Sequence, residues 1–364
     1  MASRALRIYA GPRARQYIQK HGLGPQDVSV IPGAAGGPKG LVLGPLDRFV
    51  FGEWLPRSRQ PVHLVGASIG AWRMATACLD DAVPAFERLE RDYIAQDYEL
   101  EPGRKTPTAR HVSERFAQNL EAFFGGRLAQ VLDHPRYRLH IVTSRGRHLL
   151  SREHRVGTPL GYLGAYLANG VHRRALGAWL ERVVFSSGPD PQALSLPFDD
   201  SDFRTRQVHL TADNFHAALQ ASCSIPFLLQ AVHDIPGAPR GAYWDGGITD
   251  YHLHLDYAAA HPHGLVLYPH FQKAVVPGWL DKAWRWRHGA TAFLDNTIVL
   301  APDPEWVRSL PNGKMPDRTD FARYGTDRAA RMQAWKRAAT ASAQLADEFA
   351  AWADSGDAAL VERL

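Results

Sequence analysis

The sequence has few cysteines and no long apolar run, and both absences exclude classes of protein. Only Cys78 and Cys223 occur among 364 residues, which is too few for a disulfide framework. No apolar run reaches the ~18 residues that a transmembrane helix needs. The residues after Met1 also lack the apolar core of a secretory signal. We therefore expect a cytoplasmic protein with two reduced thiols.

The chain also lacks a concentrated block of positive charge. Its 42 Lys and Arg residues and 37 Asp and Glu residues give a net charge of +5, and the basic residues are scattered. Arms that bind nucleic acid carry contiguous Lys and Arg, so we expect no nucleic-acid partner. The His252/His254 and His261/His263 pairs come nearest to metal-ligand spacing, but they are typical of exposed loop histidines. We expect neither a metal nor a cofactor.

Apolar segments of two periodicities alternate along the chain. Short β-prone runs are separated by stretches with helical spacing, which favours a three-layer α/β/α fold with a mainly parallel central sheet. We expect one domain over residues 1–364, with helices from Pro12 to His21 and across most of Thr326–Asp354. The predicted strands are Val28–Ile31, Val62–Val65, Leu139–Thr143, Val183–Phe185, Val208–Leu210, Gly264–Tyr268 and Thr297–Leu300.

The most informative motif is Gly66-Ala67-Ser68-Ile69-Gly70. It follows the predicted strand Val62–Val65 and precedes Ala71–Leu79, whose apolar residues have helical spacing. A strand, a tight turn and a helix are the context of a nucleophile elbow, in which glycines at Gly66 and Gly70 let backbone segments crowd together. The pattern predicts that Ser68 is a nucleophile.

Two glycine-rich turns offer partners for such a serine. The loop Gly33–Gly40 lies between a predicted strand and a helix, where free backbone N–H groups can stabilise an oxyanion. We expect Gly36 and Gly37 to donate and Lys39 to add positive charge. Because no Lys-Ser/Thr pair follows the glycines, a nucleotide-binding P-loop is disfavoured. The second turn, Asp245-Gly246-Gly247, aims a carboxylate into a site or is an ordinary Asp-Gly turn.

Taken in order, four motifs resemble the patatin-like phospholipase family. They are Ala35–Gly40 for its oxyanion loop, Gly66–Gly70 for its elbow, Ala221–Pro226 for its Ala-Ser-x-x-Ile-Pro segment, and Asp245–Gly247 for its Asp-Gly-Gly turn. Ala35 replaces the first glycine of the family loop. The resemblance covers about residues 25 to 250, and residues 251–364 carry no motif of the family.

The resemblance implies a patatin-like fold and a Ser68–Asp245 dyad without histidine. Asp245 would act as general base, and the substrate would be an acyl lipid such as a phospholipid, a lysophospholipid or another acyl ester. Two alternatives stay open: a lipid-binding module without turnover, and a Ser-His-Asp esterase. The chain order serine, aspartate, histidine fits the esterase, with the candidates His252, His254, His261, His263 and His270.

An aromatic and basic stretch, Trp279–His288, follows the motifs. On a helical wheel Trp279, Trp284 and Trp286 share one face. Asp281, Lys282 and Arg285 lie opposite, and Arg287 interrupts the apolar face. Such a face packs against its own domain or lies at a membrane interface, where Trp and Arg are both favourable. These three tryptophans are therefore candidates for peripheral membrane contact.

Overall fold

The computed structural model describes residues 4–97, 107–261 and 263–364. The strands in these ranges are β1 Leu6–Ala10, β2 Val28–Gly33, β3 Val62–Ala67, β4 Tyr137–Gly146, β5 Leu180–Ser186, β6 Thr205–His209, β7 Val232–His233, β8 Ala242–Asp245, β9 Leu265–Pro269, β10 Thr297–Pro302 and β11 Val361–Arg363. All of them belong to one sheet.

The main path of the sheet runs β11-β1-β10-β9-β2-β3-β4-β5-β6. Its centre, from β10 through β9, β2 and β3 to β4, is entirely parallel. Antiparallel pairs occur between β1 and β10 and between β4 and β5. The short strands β7 and β8 lie off the main path, where β8 pairs with β4. The central strands are buried along most of their length, as expected of a sheet covered on both faces.

Helices cover both sides of the sheet. They are α1 Pro12–His21, α2 Gly44–Phe49, α3 Ile69–Ala77, α4 Ala82–Ala95, α5 Ala109–Phe124, α6 Leu128–Leu132, α7 Gly157–Val171, α8 Phe215–Ser222, α9 Tyr257–Ala260, α10 Pro304–Ser309, α11 Thr319–Tyr324, α12 Arg328–Ala341 and α13 Ala343–Ser355. Within the described ranges, every helix is too short or too polar to cross a bilayer.

The structure confirms the α/β class, the mainly parallel sheet and the predicted strands, whose bounds shift by a few residues. It confirms the helix Pro12–His21 as well, and the C-terminal helices bury Leu345, Phe349 and Trp352 on one face. Gly356 ends α13 with a φ of 64°, the left-handed conformation that favours glycine at such a cap. Strands β1, β7, β8 and β11 were not predicted.

Residues beyond the motif-bearing part of the chain complete the same sheet. Strand β9 pairs with β2, and β10 lies between β9 and β1. Helix α13 of the tail contacts β1 and α2, and its Phe349 lies edge-on to the rings of Phe49 and Trp54. The sheet around the elbow therefore depends on residues from both ends of the chain.

Candidate active site

The glycine-rich loop and the elbow lie side by side because their strands are parallel neighbours. In the register of β2 and β3, Gly33 is opposite Gly66, so both strands end at the same edge of the sheet. A Cβ atom on Gly70 would overlap the carbonyl oxygen of Gly33. The absence of a side chain at Gly70 therefore allows the start of α3 to approach the end of β2.

Ser68 adopts the strained conformation expected of a nucleophile elbow. Its φ of 57° and ψ of −130° lie in a region that non-glycine residues rarely occupy. Such a conformation costs on the order of 1–3 kcal/mol and persists only where the surrounding structure holds it. The side chain sits between the end of β3 and the start of α3 and is almost buried, with 4% of its surface exposed.

Asp245 reaches Ser68 through an unusual arrangement beside β4. On one side of β4, strand β3 pairs with residues up to Val142, and β8 pairs with the next residues, starting at Thr143 opposite Asp245. Since β3 is parallel to β4 and β8 is antiparallel to it, the carboxyl ends of β3 and β8 meet. The meeting point places Ser68 and Asp245 together.

The two side chains are hydrogen-bonded directly. Ser68 Oγ donates to Asp245 Oδ2 at 2.8 Å, and the other carboxylate oxygen accepts the Gly247 backbone N–H at 2.7 Å. A serine hydroxyl within this distance of a carboxylate can pass its proton to that group as Oγ attacks. The structure thus brings the predicted nucleophile and base together.

The Ala221–Pro226 segment positions both members of the pair. Ser222 Oγ accepts the Ser68 backbone N–H at 3.0 Å and donates to the Val142 carbonyl at 2.7 Å. The carbonyl of Ser224 accepts the Asp245 backbone N–H at 2.9 Å. The sequence indicated Ala221–Pro226 as a motif but did not indicate its role. In the structure this segment links the elbow to the Asp245 turn.

The pKa of Asp245 is raised to about 6. Burial is the largest cause, because a charged carboxylate loses hydration inside the protein. The hydrogen bond from Ser68 and the charges of Arg318 and Lys282 oppose this shift and keep it moderate. A carboxyl group with this pKa is ionised at neutral pH and can still bind and release a proton easily.

The glycine-rich loop presents free donors next to the pair. No hydrogen-bond acceptor for the Gly36 or Gly37 backbone N–H is found among the described residues. The Ala35 N–H donates instead to the Tyr251 carbonyl at 3.0 Å, which ties the loop to the Asp turn. Gly37 has a φ of 58°, so a side chain there would be strained, and a Cβ on Gly36 would lie 2.6 Å from the Phe271 ring.

A cleft of about 210 Å³ opens over these groups. Ser68, Asp245, Gly36, Gly247 and Lys39 all line it. The predicted site residues missing from its lining, Gly37, Gly66, Gly70 and Gly246, shape the turns around it. Ala35 and Ile225, from two of the motifs, and Trp279, a predicted membrane contact, also line it. The lining residues that the sequence did not indicate as part of a site are Tyr251, Lys282, Asp317, Arg318 and Thr319. A second recess, of about 20 Å³, lies behind the loop and includes neither Ser68 nor Asp245.

None of the candidate histidines is hydrogen-bonded to Ser68 or Asp245 in the described structure. His254 contacts the Val275 carbonyl and Thr291 Oγ1, and His270 contacts the Gln272 carbonyl. His252 Nδ1 accepts the Val276 N–H at 3.0 Å. The ring of His261 lies 5.3 Å from that of His63 at a tilted angle, and His263 is exposed. The described geometry thus provides a Ser–Asp pair and no Ser-His-Asp triad.

The stretch Trp279–His288 is not one helix, so that interpretation was wrong. It forms two separate 3-10 turns, Trp279–Asp281 and Arg285–Arg287. Asp281 is buried and binds Arg287 and Arg173 at 2.8 Å and 3.2 Å, and these ion pairs favour a bent path over a straight helix. Trp279 and Trp284 are half-buried, whereas 74% of the Trp286 side chain is exposed.

Among the described residues, no three His, Cys, Asp or Glu side chains lie close enough together to bind a metal ion. No protein-family model matches the chain, and no curated protein matches it significantly. The candidate active site of this α/β chain is the cleft in which the strained Ser68 donates a hydrogen bond to the buried carboxylate of Asp245.

Proposed function

We propose that this protein is a serine lipid acyl hydrolase with a patatin-like fold and a Ser68–Asp245 dyad. The observation that carries the proposal is the 2.8 Å hydrogen bond from Ser68 Oγ to Asp245 Oδ2. It occurs at a strained elbow, next to two free backbone donors and inside an open cleft. The order of the four motifs supports the same family and the same chemistry.

The reaction begins when Ser68 Oγ attacks the carbonyl carbon of the ester and its proton passes to Asp245. The carbonyl oxygen becomes negatively charged and accepts hydrogen bonds from the Gly36 and Gly37 amides, with Lys39 nearby as a positive charge. Collapse of this intermediate breaks the bond to the alcohol, which leaves with the proton held by Asp245. The acyl group remains on Ser68.

Water then completes the cycle. Asp245 takes a proton from the water as its oxygen attacks the acyl carbon, and the second tetrahedral intermediate collapses to free fatty acid. Ser68 recovers its proton from Asp245. One carboxyl group serves as base and acid in turn, which suits a pKa of about 6.

The proposal includes contact with a lipid surface, because long-chain acyl esters reside in membranes and micelles. A soluble protein acting on them must bind such a surface at its periphery. Trp286 is the one tryptophan of the predicted set that is exposed enough for this role. Trp279 lines the cleft and belongs to the substrate site.

Labelling by a fluorophosphonate tests the proposal directly, since these reagents modify activated serines. The wild-type protein should be labelled at Ser68 and should release fatty acid from a panel of acyl esters and phospholipids. Ser68→Ala should lose both properties while its circular dichroism spectrum stays unchanged. Absence of labelling in folded wild-type protein would refute the proposed enzymatic activity and favour a lipid-binding module without turnover.

Substitution of the general base separates the dyad from a triad. Asp245→Asn should reduce turnover nearly as severely as Ser68→Ala, because an amide cannot accept the serine proton. His252→Gln and His254→Gln serve as comparison variants. An inactive histidine variant beside an active, folded Asp245→Asn protein would overturn the dyad.

A further inference from the structure

Three cationic side chains from separate parts of the chain line the cleft that contains Ser68. Lys39 belongs to the glycine-rich loop, Lys282 follows the turn Trp279–Asp281, and Arg318 immediately precedes α11. Lys282 and Arg318 belong to the part of the sequence that carries no family motif. In the proposed acyl transfer they act only at a distance, since their charges lower the pKa of Asp245, and this effect does not require them to line the cleft itself.

These three charges have no carboxylate partner among the described residues. Asp317 also lines the cleft, but its carboxylate is paired with Lys314 at 2.7 Å. Lys39 and Lys282 lie instead over aromatic rings, 5.1 Å from the centre of Phe271 and 3.9 Å from that of Tyr251. Aromatic faces hold ammonium groups in place without neutralising them.

The charge of the cluster is only partly compensated, by attraction of Lys282 to Asp245 and of Lys39 to Asp317. Burial of its ammonium group, followed by repulsion from Lys39 and Arg318, lowers the pKa of Lys282 to about 8. Lys282 as a whole is exposed, so solvent screens part of this repulsion. A cleft lined by several positive charges attracts anions.

We propose that Lys282 and Arg318, together with Lys39, form a subsite for a phosphate group carried by the substrate close to the scissile ester. The inference rests on the proposed acyl hydrolysis and specifies its substrate class, an anionic acyl glycerophosphate in preference to a neutral acyl ester. An Arg fork and Lys ammonium groups together suit phosphate oxygens, which accept several charge-assisted hydrogen bonds.

Hydrolysis of esters with the same acyl chain tests the subsite. We compare kcat/KM for an acyl glycerol 3-phosphate, the corresponding neutral acyl glycerol, and a monoacyl ester bearing a carboxylate. Arg318→Gln and Lys282→Gln should each lower kcat/KM about 10- to 100-fold for the phosphate ester, as loss of a charge-assisted hydrogen bond does. For the neutral ester the loss should be smaller, and it should be smallest near pH 8, where Asp245 stays ionised although one of the charges that lower its pKa has been removed.

Exposed basic residues of α12 supply matched controls. Lys336→Gln and Arg337→Gln make the same charge changes away from the cleft and should leave all three substrates unaffected. Equal wild-type kcat/KM for the phosphate and neutral esters would overturn the subsite while leaving the hydrolase intact. A preference for the carboxylate ester over the phosphate ester would overturn the choice of phosphate.

A binding measurement makes failure of the subsite distinguishable from failure of the hydrolase. Calorimetry with Ser68→Ala and acyl glycerol 3-phosphate needs no turnover. Binding should weaken at least about tenfold when Arg318→Gln is added. Unchanged binding would overturn the subsite, whereas absence of fluorophosphonate labelling in the wild type would refute the hydrolase.

A second, independent observation concerns the outer face of α7. This helix contains no charged residue, and Leu160, Leu163, Leu167 and Val171 expose 54%, 55%, 61% and 85% of their surfaces. Their spacing of three or four residues places them in one stripe. Thr158, Gly161, Ala165 and Asn169 are buried on the opposite face.

Neighbouring side chains extend the α7 stripe into a larger apolar surface. Phe227 is 62% exposed and its ring lies 6.1 Å from Tyr162 of α7. Trp286 stacks on Trp284, which in turn lies 5.1 Å from Tyr166 of α7. Contiguous apolar surfaces of this kind mark docking sites on soluble proteins.

The surface has the charge and position that suit an anionic bilayer. Four exposed arginines surround the stripe: Arg152 and Arg155 precede α7, Arg174 follows it, and Arg285 adjoins Trp286. Glu153, between Arg152 and Arg155, carries a negative charge. Basic residues around apolar ones add attraction to anionic headgroups. Phe227 is also close in sequence to Ile225, which lines the Ser68 cleft. We infer that the α7 stripe docks on anionic membranes with the cleft facing the lipid.

Vesicle co-sedimentation tests this docking surface. Wild type should bind phosphatidylglycerol-containing vesicles more tightly than pure phosphatidylcholine vesicles, and added salt should weaken the binding. Leu163→Ser/Leu167→Ser should bind at least about tenfold more weakly, because two leucines no longer enter the lipid. Hydrolysis of a soluble short-chain ester should be unchanged, and Leu360→Ser, at an exposed leucine elsewhere, should behave as wild type.

Two results would overturn the inference. Equal vesicle binding by the α7 variant and wild type would exclude this stripe as the membrane contact. Conversion of a wild-type dimer to a monomer by the same substitutions, with no change in vesicle binding, would identify a second copy of the chain as the occupant.

Discussion

Replacement of Asp245 by Asn should stabilise the protein while abolishing its turnover. The cause is the burial of a carboxylate, which raises the pKa of Asp245 from 3.8 to about 6 in the folded chain. Asn has nearly the same shape and carries no charge. The active-site residue therefore opposes folding at neutral pH, and its neutral isostere does not.

The pH dependence follows from the direction of the shift. The folded state binds the Asp245 proton more tightly than the unfolded state does. The resulting contribution to the free energy of unfolding is complete below a pH of 3.8 and is lost as the pH rises to about 6. A shift of about two pH units corresponds to about 3 kcal/mol. The stability difference between Asp245→Asn and wild type should therefore be small, under about 1 kcal/mol, near pH 4 and should grow to about 3 kcal/mol near pH 8.

Urea unfolding, monitored by tryptophan fluorescence and circular dichroism at several pH values, measures this difference. Ser68→Ala is the matched control, since it inactivates the protein but retains the buried carboxylate, and it should show no such gain at high pH. A difference that stays constant between pH 4 and pH 8, or an Asp245→Asn protein that is less stable than wild type at pH 8, would refute the reasoning.

Three further outcomes are expected. Ser68→Gly should unfold at higher urea concentration than Ser68→Ala, because only glycine relieves the positive φ of Ser68, a strain of about 1–3 kcal/mol; equal midpoints would contradict the strain. The pH profile of kcat/KM should fall on the acid side with a midpoint near 6, because protonated Asp245 cannot accept the serine proton; a midpoint near 4 would show that the carboxyl group is not perturbed. Gly37→Ala should lower turnover about 10²- to 10³-fold, with a smaller loss for Lys39→Ala, and unaltered turnover in Gly37→Ala would mean that the loop is only structural.

The central strands could be predicted from the sequence because their residues are mainly apolar. Val28–Ile31 and Val62–Val65 are each apolar except at one position, Ser29 and His63, and such runs indicate buried strands without reference to any partner. Strands β7 and β8 gave no comparable signal, because β7 has only two residues and β8 only four. Strand β8 pairs with β4, and β7 pairs with β8, and periodicity does not report such contacts.

Some residues of the candidate site could likewise be predicted from the sequence, and others could not. Ser68, Asp245 and the loop glycines occur in short patterns whose chemistry follows from residue type, so sequence could nominate them. Lys282 and Arg318 reach the cleft only through the path of the chain after Tyr251, and no local pattern marks them. The helical wheel of Trp279–His288 failed for a related reason, since the ion pairs of buried Asp281 with Arg173 and Arg287 determine the bend.

The placement of β2 between β3 and β9 has a consequence for how the protein is made. Its partner β9 lies far along the chain, with Val28 opposite Leu265. Until the ribosome has released β9, one side of β2 has unpaired N–H and C=O groups, and such an edge is prone to aggregation. The strand that leads into the oxyanion loop is thus completed late in synthesis, so the nascent chain should need protection at this edge before it can acquire a working site.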